Sequence, residues 1–187
     1  MTRFGYTLMT EQSGPRELVG YAGSAEQVGF DFLVCSDHYF PWLDSMGHSP
    51  YAWSVLGAVT QVTERVELLT YVTCPTMRYH PAVVAQKAAT MGLLSNGRFT
   101  LGLGSGENLN EHVIGQGWPA VAVRRKCWKR RWRSFAVSST ASNSPCKGII
   151  FASTRLSSGT VLTNPWRSAS LSAARKPCAG LPHWPTT

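Results

Sequence analysis

Strand and helix signals alternate along the first two-thirds of this 187-residue chain. Short apolar runs rich in β-branched residues predict strands at 4–9, 32–35, 66–72 and 98–104. Apolar residues three and four positions apart predict helices at 15–29, 51–63 and 81–95. Helical connections of this length allow consecutive strands to run parallel. The order βαβαβαβ therefore predicts an α/β protein with a parallel sheet, either a barrel or a doubly wound sheet.

Charge is distributed very unevenly along the chain. All ten acidic residues lie in 1–126 beside nine Lys and Arg, whereas 127–187 contains nine Lys and Arg and no acidic residue. Charged residues in folded domains are normally mixed in sign. We therefore expect one β/α domain at 1–126, followed at 127–187 by a basic tail that is irregular, disordered and not a domain.

The composition also bears on the cellular location of the protein and on metal binding. No apolar run reaches the roughly 20 residues of a membrane span, and the N-terminus lacks the apolar stretch of a signal peptide. We therefore expect a cytoplasmic protein without a membrane partner. The five cysteines are scattered, with no Cys-x-x-Cys pair and no histidine at zinc-ligand spacing, so we expect reduced thiols and no metal site.

Polar and glycine-rich segments follow the second, third and fourth predicted strands. They read SDHYFPW at 36–42, YVTCPTMRYHPAVVAQ at 71–86 and GLGSGENLNEH at 102–112. Parallel β/α proteins place their chemistry in the loops at the carboxyl ends of strands. The sequence therefore predicts one functional site built from these loops.

In order and spacing, these segments and MTEQSGPRELV around Glu11 resemble the coenzyme F420-dependent oxidoreductases of the luciferase-like superfamily. The resemblance is to the branch of the F420-dependent glucose-6-phosphate dehydrogenases, and it covers residues 4–126. It implies an incomplete (β/α)8 TIM barrel of about four N-terminal βα units, since a complete barrel takes about 250 residues. It also implies an enzyme that transfers a hydride between a small organic substrate and coenzyme F420.

The resemblance assigns roles to particular residues. Catalytic roles fall on His38 as the acid/base, Trp42 beside the substrate, and Glu107 and Glu11 as carboxylates near the cofactor. Removing a hydride from an alcohol carbon requires a base for the hydroxyl proton, which suits histidine. The implied cofactor contacts are Asp37, Val72, Cys74, Thr76, Gly104, Ser105, Gly106 and Asn110. At Val72 the family carries a bulge, often with a non-proline cis peptide bond.

Each of these residues also has a plain structural interpretation. Residues 104–106 can cradle a phosphate with backbone N–H groups, or they can simply make a tight turn. A loop histidine or glutamate is often only solvated. Tyr71 is bulkier than the small residue that the family's pattern leads us to expect.

The tail departs from the family at a definite point. After WPAVAVRR the family continues with an acidic and apolar helix, whereas this chain reads KCWKRRWRSFAVSST. Allowed codons for residues 127–136, read one base earlier with A in front, encode MLEEAVEIIR, an amphipathic helix. The same shift turns KGIIF into KGHYF and SSGTVLTNPW into KLWDRPDKPV, which resemble later family segments. We therefore hypothesise that residues 127–187 are translated in a shifted reading frame.

Other interpretations stay open. The cofactor of a related monooxygenase would be FMN instead of F420. A native basic tail would allow a non-catalytic protein to bind nucleic acid, although we expect a small-molecule substrate as the partner. The stacking residues would then be Trp128, Trp132, Trp166 and Trp184.

A half barrel also has physical consequences. Its first and fourth strands would be unpaired edges, so we expect poor solubility unless a second copy covers them in a homodimer. The family's contacts with a substrate phosphate come from the later half of the barrel. Glucose 6-phosphate is therefore not supported as the substrate, and a truncated chain is expected to have impaired activity.

Overall fold

The structure is a computed structural model that describes residues 2–124, 126–127, 148–152 and 160–162. Strands and helices alternate through its first part as the sequence predicts. The strands are β1 (Gly5–Leu8), β2 (Phe32–Cys35), β3 (Glu67–Thr70) and β4 (Phe99–Gly104). The helices are α1 (Pro15–Gln27), α2 (Ala52–Val59), α3 (Pro81–Leu94) and the short α4 (Asn108–Glu111), with single 3-10 turns at Asp44–Met46 and His112–Ile114.

The first four strands form a parallel sheet in chain order, β1-β2-β3-β4. A doubly wound sheet reverses its strand order at a switch point. This sheet proceeds in one direction, as consecutive strands of a β/α barrel do. The carboxyl ends of all four strands therefore lie at one edge, where the loops that the sequence singles out begin.

Helix α1 shows how local sequence defines an element. Pro15 occupies the first helical position, where a missing N–H costs nothing. The Glu17 carboxylate accepts a hydrogen bond from the Gly14 N–H at 2.9 Å, and Gly29, with φ of 100°, follows the last turn. The buried face consists of Leu18, Ala22 and Ala25, which pack on the core beneath the sheet.

Strands β3 and β4 approach each other closely at one position. A Cβ built on Gly102 would lie 1.9 Å from the carbonyl oxygen of Thr70, so only glycine fits. The Thr70 hydroxyl accepts from the Gly102 N–H at 2.9 Å and donates to the Gly102 carbonyl at 3.0 Å. All six residues of β4 are buried, which makes it the most enclosed of the strands β1 to β4.

Two strands lie in the segment that the sequence predicts to be irregular. β5 (Gly148–Ala152) pairs in parallel with β4, and β6 (Thr160–Leu162) pairs antiparallel with β5. The expectation of an irregular tail is wrong at these positions, because GIIFA is a run of apolar and β-branched residues that favours a strand. β4 is consequently not the edge that we expected. The other residues of 128–187, including the four tail tryptophans, lie outside the described residues.

Three properties of the described part of the chain bear on its chemistry. None of its helices is long and apolar enough to cross a bilayer. No group of three or more His, Cys, Asp or Glu in these same residues could hold a metal ion. Cys35 and Cys74 are free thiols, and burial raises the pKa of each to about 12, so both stay protonated at neutral pH.

Candidate functional site

A cavity of about 340 Å³ lies at the carboxyl ends of β2, β3 and β4. Its volume is at the small end of the range for ligand pockets. The lining residues come from the segments that begin where these strands end: Ser36, Asp37, His38, Trp42, Tyr71, Val72, Cys74, Arg78, Gly104, Ser105, Gly106, Glu107, Asn110 and Glu111.

Most of the predicted site residues meet at this cavity. Of the predicted catalytic residues, His38, Trp42 and Glu107 line it, and Glu11 is buried in contact with His38. All the predicted cofactor contacts line it except one. Thr76 is buried outside the lining, with its hydroxyl 2.7 Å from the sulfur of Cys74.

His38 connects the loops that follow β1 and β2. Its Nε2 lies 3.1 Å from Oε1 of Glu11, and both side chains are nearly buried, 11% and 7% exposed. The Trp42 ring stands edge-on to the imidazole, with ring centroids 6.2 Å apart, while most of its own surface is exposed. The imidazole is therefore held from one side by a carboxylate and flanked on another by an aromatic ring.

Asn110 determines which nitrogen of His38 carries the proton. The backbone N–H groups of Tyr39 and Phe40 donate to Asn110 Oδ1 at 2.7 and 3.1 Å, which fixes the orientation of the amide. Its Nδ2 then donates to Oε1 of Glu107 at 2.7 Å and faces His38 Nδ1 at 3.2 Å. Because an amide nitrogen has only donors, Nδ1 must accept, and the neutral ring carries its proton on Nε2, which lies 3.1 Å from Glu11 Oε1 but outside hydrogen-bond geometry.

The carboxylate of Asp37 is fully occupied by protein groups. Oδ2 accepts from the Trp53 indole and the Thr73 hydroxyl, both at 2.9 Å. Oδ1 accepts from the Tyr79 hydroxyl at 3.0 Å and faces the Arg78 guanidinium at 3.3 Å. The side chain has no exposed surface. These bonds hold the carboxylate in place at the cavity that Asp37 lines, and the expected contact between Asp37 and a cofactor stays a prediction.

The glycine-rich loop and the end of β3 form another part of the cavity. Gly106 has φ of 76°, and a Cβ there would lie 2.5 Å from the Cys74 sulfur, so this position requires glycine on both counts. A cis peptide bond joins Tyr71 to Val72, where the resemblance implies one. The bulky Tyr71 side chain is 57% exposed, so it departs from the family's pattern without filling the cavity.

Sequence reasoning missed four residues of the lining, Ser36, Tyr71, Arg78 and Glu111, and the last two of these are charged. Arg78 lies within the segment after β3, and Glu111 lies four residues after Glu107 on α4. A lone arginine and a second acid within motifs already singled out were the available signals. Their partners are distant in sequence, so only the fold brings them together.

Comparison with known proteins identifies the fold family. A sequence model of the luciferase-like monooxygenases matches residues 1–126. The chain belongs to the luciferase-like monooxygenase family. The resemblance inferred from the loop motifs is thereby confirmed, and so is the predicted fold class for the luciferase-like part of the chain.

Two relatives within the luciferase-like family are F420-dependent glucose-6-phosphate dehydrogenases. The protein from Amycolatopsis mediterranei is 52% identical over 125 residues, which are 66% of this chain and 38% of the relative. The protein from Beutenbergia cavernae is 53% identical over 119 residues, which are 64% of this chain and 35% of the relative. The chain spans well under half the length of these curated relatives.

A solved structure of the same family has the same fold. It is an F420-dependent secondary alcohol dehydrogenase in complex with an F420–acetone adduct, 38% identical, with a TM-score of 0.69. The match covers 72% of this chain and 41% of the dehydrogenase. It agrees with the order β1-β2-β3-β4 as the N-terminal part of a β/α barrel.

Proposed function

We propose that this protein is an F420-dependent oxidoreductase that transfers a hydride between a small organic substrate and the cofactor. The observation that carries the proposal is the meeting of His38, Asn110 and Glu107 at a cavity beside the glycine-rich loop. F420-dependent enzymes among the relatives supply the cofactor class. When bound, coenzyme F420 supplies the carbon that accepts or donates the hydride.

The residues around the cavity fit a planar ring. Gly106 allows the loop at 104–106 to lie against Cys74 without a side chain between them. Val72 and Cys74 offer apolar surface, and the polar groups of Ser105 and Asn110 line the same cavity. We assign the holding of the cofactor ring to these residues. We assign Thr76 the positioning of Cys74, whose sulfur lies 2.7 Å from its hydroxyl.

His38 handles the substrate proton in this proposal. With its own proton on Nε2, its Nδ1 lone pair is the basic site, and the 3.2 Å contact with Asn110 Nδ2 must break when the substrate hydroxyl takes its place. Glu11 stabilises the imidazolium that forms when Nδ1 accepts the hydroxyl proton. Asn110 remains bonded to Glu107, which keeps that carboxylate at the edge of the cavity.

The charges at the cavity favour a neutral substrate. Among the described residues that line it, Arg78 carries the permanent positive charge, and its guanidinium is already engaged by Asp37 and Glu111. These residues therefore leave no free cation for a substrate phosphate. A small alcohol or ketone suits them better than a phosphorylated sugar.

Titrating the full chain with F420 and with FMN tests the cofactor assignment. We expect F420 to bind more tightly, and Gly106→Ala to weaken its binding at least about tenfold, or about 1.4 kcal/mol, because the added Cβ displaces Cys74. Gly115→Ala is the matched control, since Gly115 has a similar φ of 72° with open space around its Cβ position. Equal affinity for FMN, or equal loss in both variants, would contradict the proposal.

A further inference from the structure

A cluster of three buried charges lies next to the proposed site. Arg78, Asp37 and Glu111 have side chains that are 8%, 0% and 1% exposed. None of the three belongs to the proton-handling group described above. Buried ion pairs contribute little net stability, because desolvation offsets their attraction. The cluster therefore calls for an explanation other than stability.

Arg78 holds the backbone immediately before His38. Its Nη2 donates to the main-chain carbonyl of Asp37 at 2.6 Å, and its Nη1 lies 3.3 Å from the Asp37 carboxylate. That carbonyl belongs to the peptide that joins Asp37 to His38. A shift of this peptide would move the imidazole directly.

Arg78 also holds the residue immediately after Asn110. Its backbone N–H donates to Oε2 of Glu111 at 2.8 Å, and its Nε faces Oε1 of Glu111 at 3.5 Å, outside hydrogen-bond geometry. Burial raises the pKa of the Glu111 carboxyl above its ordinary value, and the hydrogen bonds and charge of Arg78 oppose that rise. Arg78 is thus bound to both chain neighbours of the His38–Asn110 pair.

We propose that Arg78 is a positioning residue that sets the contact between His38 and Asn110, and with it the proton on His38 Nε2. Its significance for catalysis rests on the proposed oxidoreductase function. Lysine cannot replace it, because one ammonium group lacks the forked geometry needed to donate to the Asp37 carbonyl while facing the carboxylates of Asp37 and Glu111. A purely structural ion pair would predict no effect on the histidine ring.

The test uses Arg78→Lys in the full chain, with Arg98→Lys as the matched control. Arg98 also donates to backbone carbonyls, those of Thr63, Val66 and Ser95 at 2.8 to 2.9 Å, but at the opposite end of β4. Both substitutions shorten a partly buried arginine that binds main-chain oxygens. Only Arg78→Lys should affect His38.

The readout is the pair of ¹⁵N resonances of the His38 ring, which are assigned as those missing from the spectrum of His38→Gln. The spectra are recorded at a pH above the titration range of free histidine. We expect wild type and Arg98→Lys to show a protonated Nε2 and an unprotonated Nδ1. In Arg78→Lys the separation of the two resonances should shrink as the tautomers mix. A folded Arg78→Lys protein with the wild-type pattern would overturn the proposal.

Glu111→Gln covers the case in which Arg78→Lys does not fold. It removes one buried charge at nearly constant shape, and we expect a partial loss of the Nε2–H tautomer. The wild-type ring pattern in Glu111→Gln would then overturn the proposal. F420 titration of wild type separates the positioning role from the oxidoreductase function. Tautomer mixing in the variant without F420 binding to wild type supports the positioning role and contradicts the oxidoreductase function. F420 binding with an unchanged tautomer in the variant supports the oxidoreductase function and contradicts the positioning role.

Discussion

At the scale of single residues, Asn110 sets the direction of the hydrogen bonds in the site. Its carbonyl oxygen is fixed by two backbone N–H groups from the loop after β2, and its amino group faces His38 and Glu107. One amide therefore decides the tautomer of a histidine and the position of a carboxylate. The Asn110 side chain is buried, so we expect no water molecule to replace the amide in these hydrogen bonds.

Asn110→Asp tests this role with an isosteric change. The new carboxylate keeps both backbone hydrogen bonds, but one of its oxygens faces the Glu107 carboxylate in place of the N–H donor. Because the two carboxylates repel and a hydrogen bond is lost, we expect the unfolding free energy to fall by about 1–3 kcal/mol. The His38 proton should move to Nδ1, where the carboxylate can accept it. Thermal unfolding and the ring ¹⁵N resonances measure the two effects. Asn108→Asp adds the same charge at an exposed position of α4, and an equal response in both variants would contradict the assignment.

At the scale of elements, Glu26 joins the end of α1 to the start of β3. Its carboxylate accepts from the backbone N–H groups of Glu64, Arg65 and Val66 at 2.7 to 2.8 Å. Burial alone raises the pKa of this carboxyl. The three backbone bonds and the charge of Arg98 outweigh burial, so the pKa lies below its ordinary value of 4.5. The ionised form is thus the one that the fold prefers.

This preference predicts a specific pH dependence of stability. Because the pKa of Glu26 is lower in the folded than in the unfolded chain, its contribution is complete above pH 4.5 and disappears as the pH falls through the lowered value. Glu26→Gln should therefore destabilise the protein near neutral pH by about 1–2 kcal/mol. The difference from wild type should shrink in acid.

Denaturant unfolding at several pH values measures this difference. Glu17→Gln is the control on the same helix, since Glu17 accepts a single backbone hydrogen bond. Glu17→Gln should lower the unfolding free energy by less than Glu26→Gln near neutral pH. If the loss of unfolding free energy in Glu26→Gln stays constant down to the acid range, the charge of the carboxylate is not the source of the stabilisation.

At the scale of the whole molecule, the chain divides near residue 126. The family match ends there, and no acidic residue follows it, the last one being Glu111. The hypothesis of a shifted reading frame predicts that the coding DNA, with one base restored near codon 126, opens a barrel-like continuation rich in acidic residues. Sequencing that DNA is the measurement, and a continuation without barrel-like strands and helices would refute the hypothesis.

The restored protein offers a second test of the same idea. We expect it to bind F420 more tightly than the present chain, because further barrel strands would complete the wall of the cavity. Salt-dependent DNA binding by the present chain would instead support a native basic tail. The homodimer proposed to cover exposed strand edges also stays a prediction, and sedimentation of the two proteins would measure it.

The sequence by itself determined the elements and the location of the site. Of the predicted elements, β2 has the predicted boundaries and the others differ by a few residues at their ends. The segments 36–42, 71–86 and 102–112 supply the whole lining of the cavity. These features follow from local causes: apolar periodicity, proline at helix starts and left-handed residues at helix ends.

The tertiary structure alone decided how the side chains are used. It engaged the Asp37 carboxylate with protein groups, placed Arg78 between Asp37 and Glu111, and turned the Asn110 amide toward His38, 72 residues away. It also added β5 beside β4. Hydrogen bonds and ion pairs across such separations depend on distances and directions that no local pattern encodes, because the fold sets them only when the strands come together.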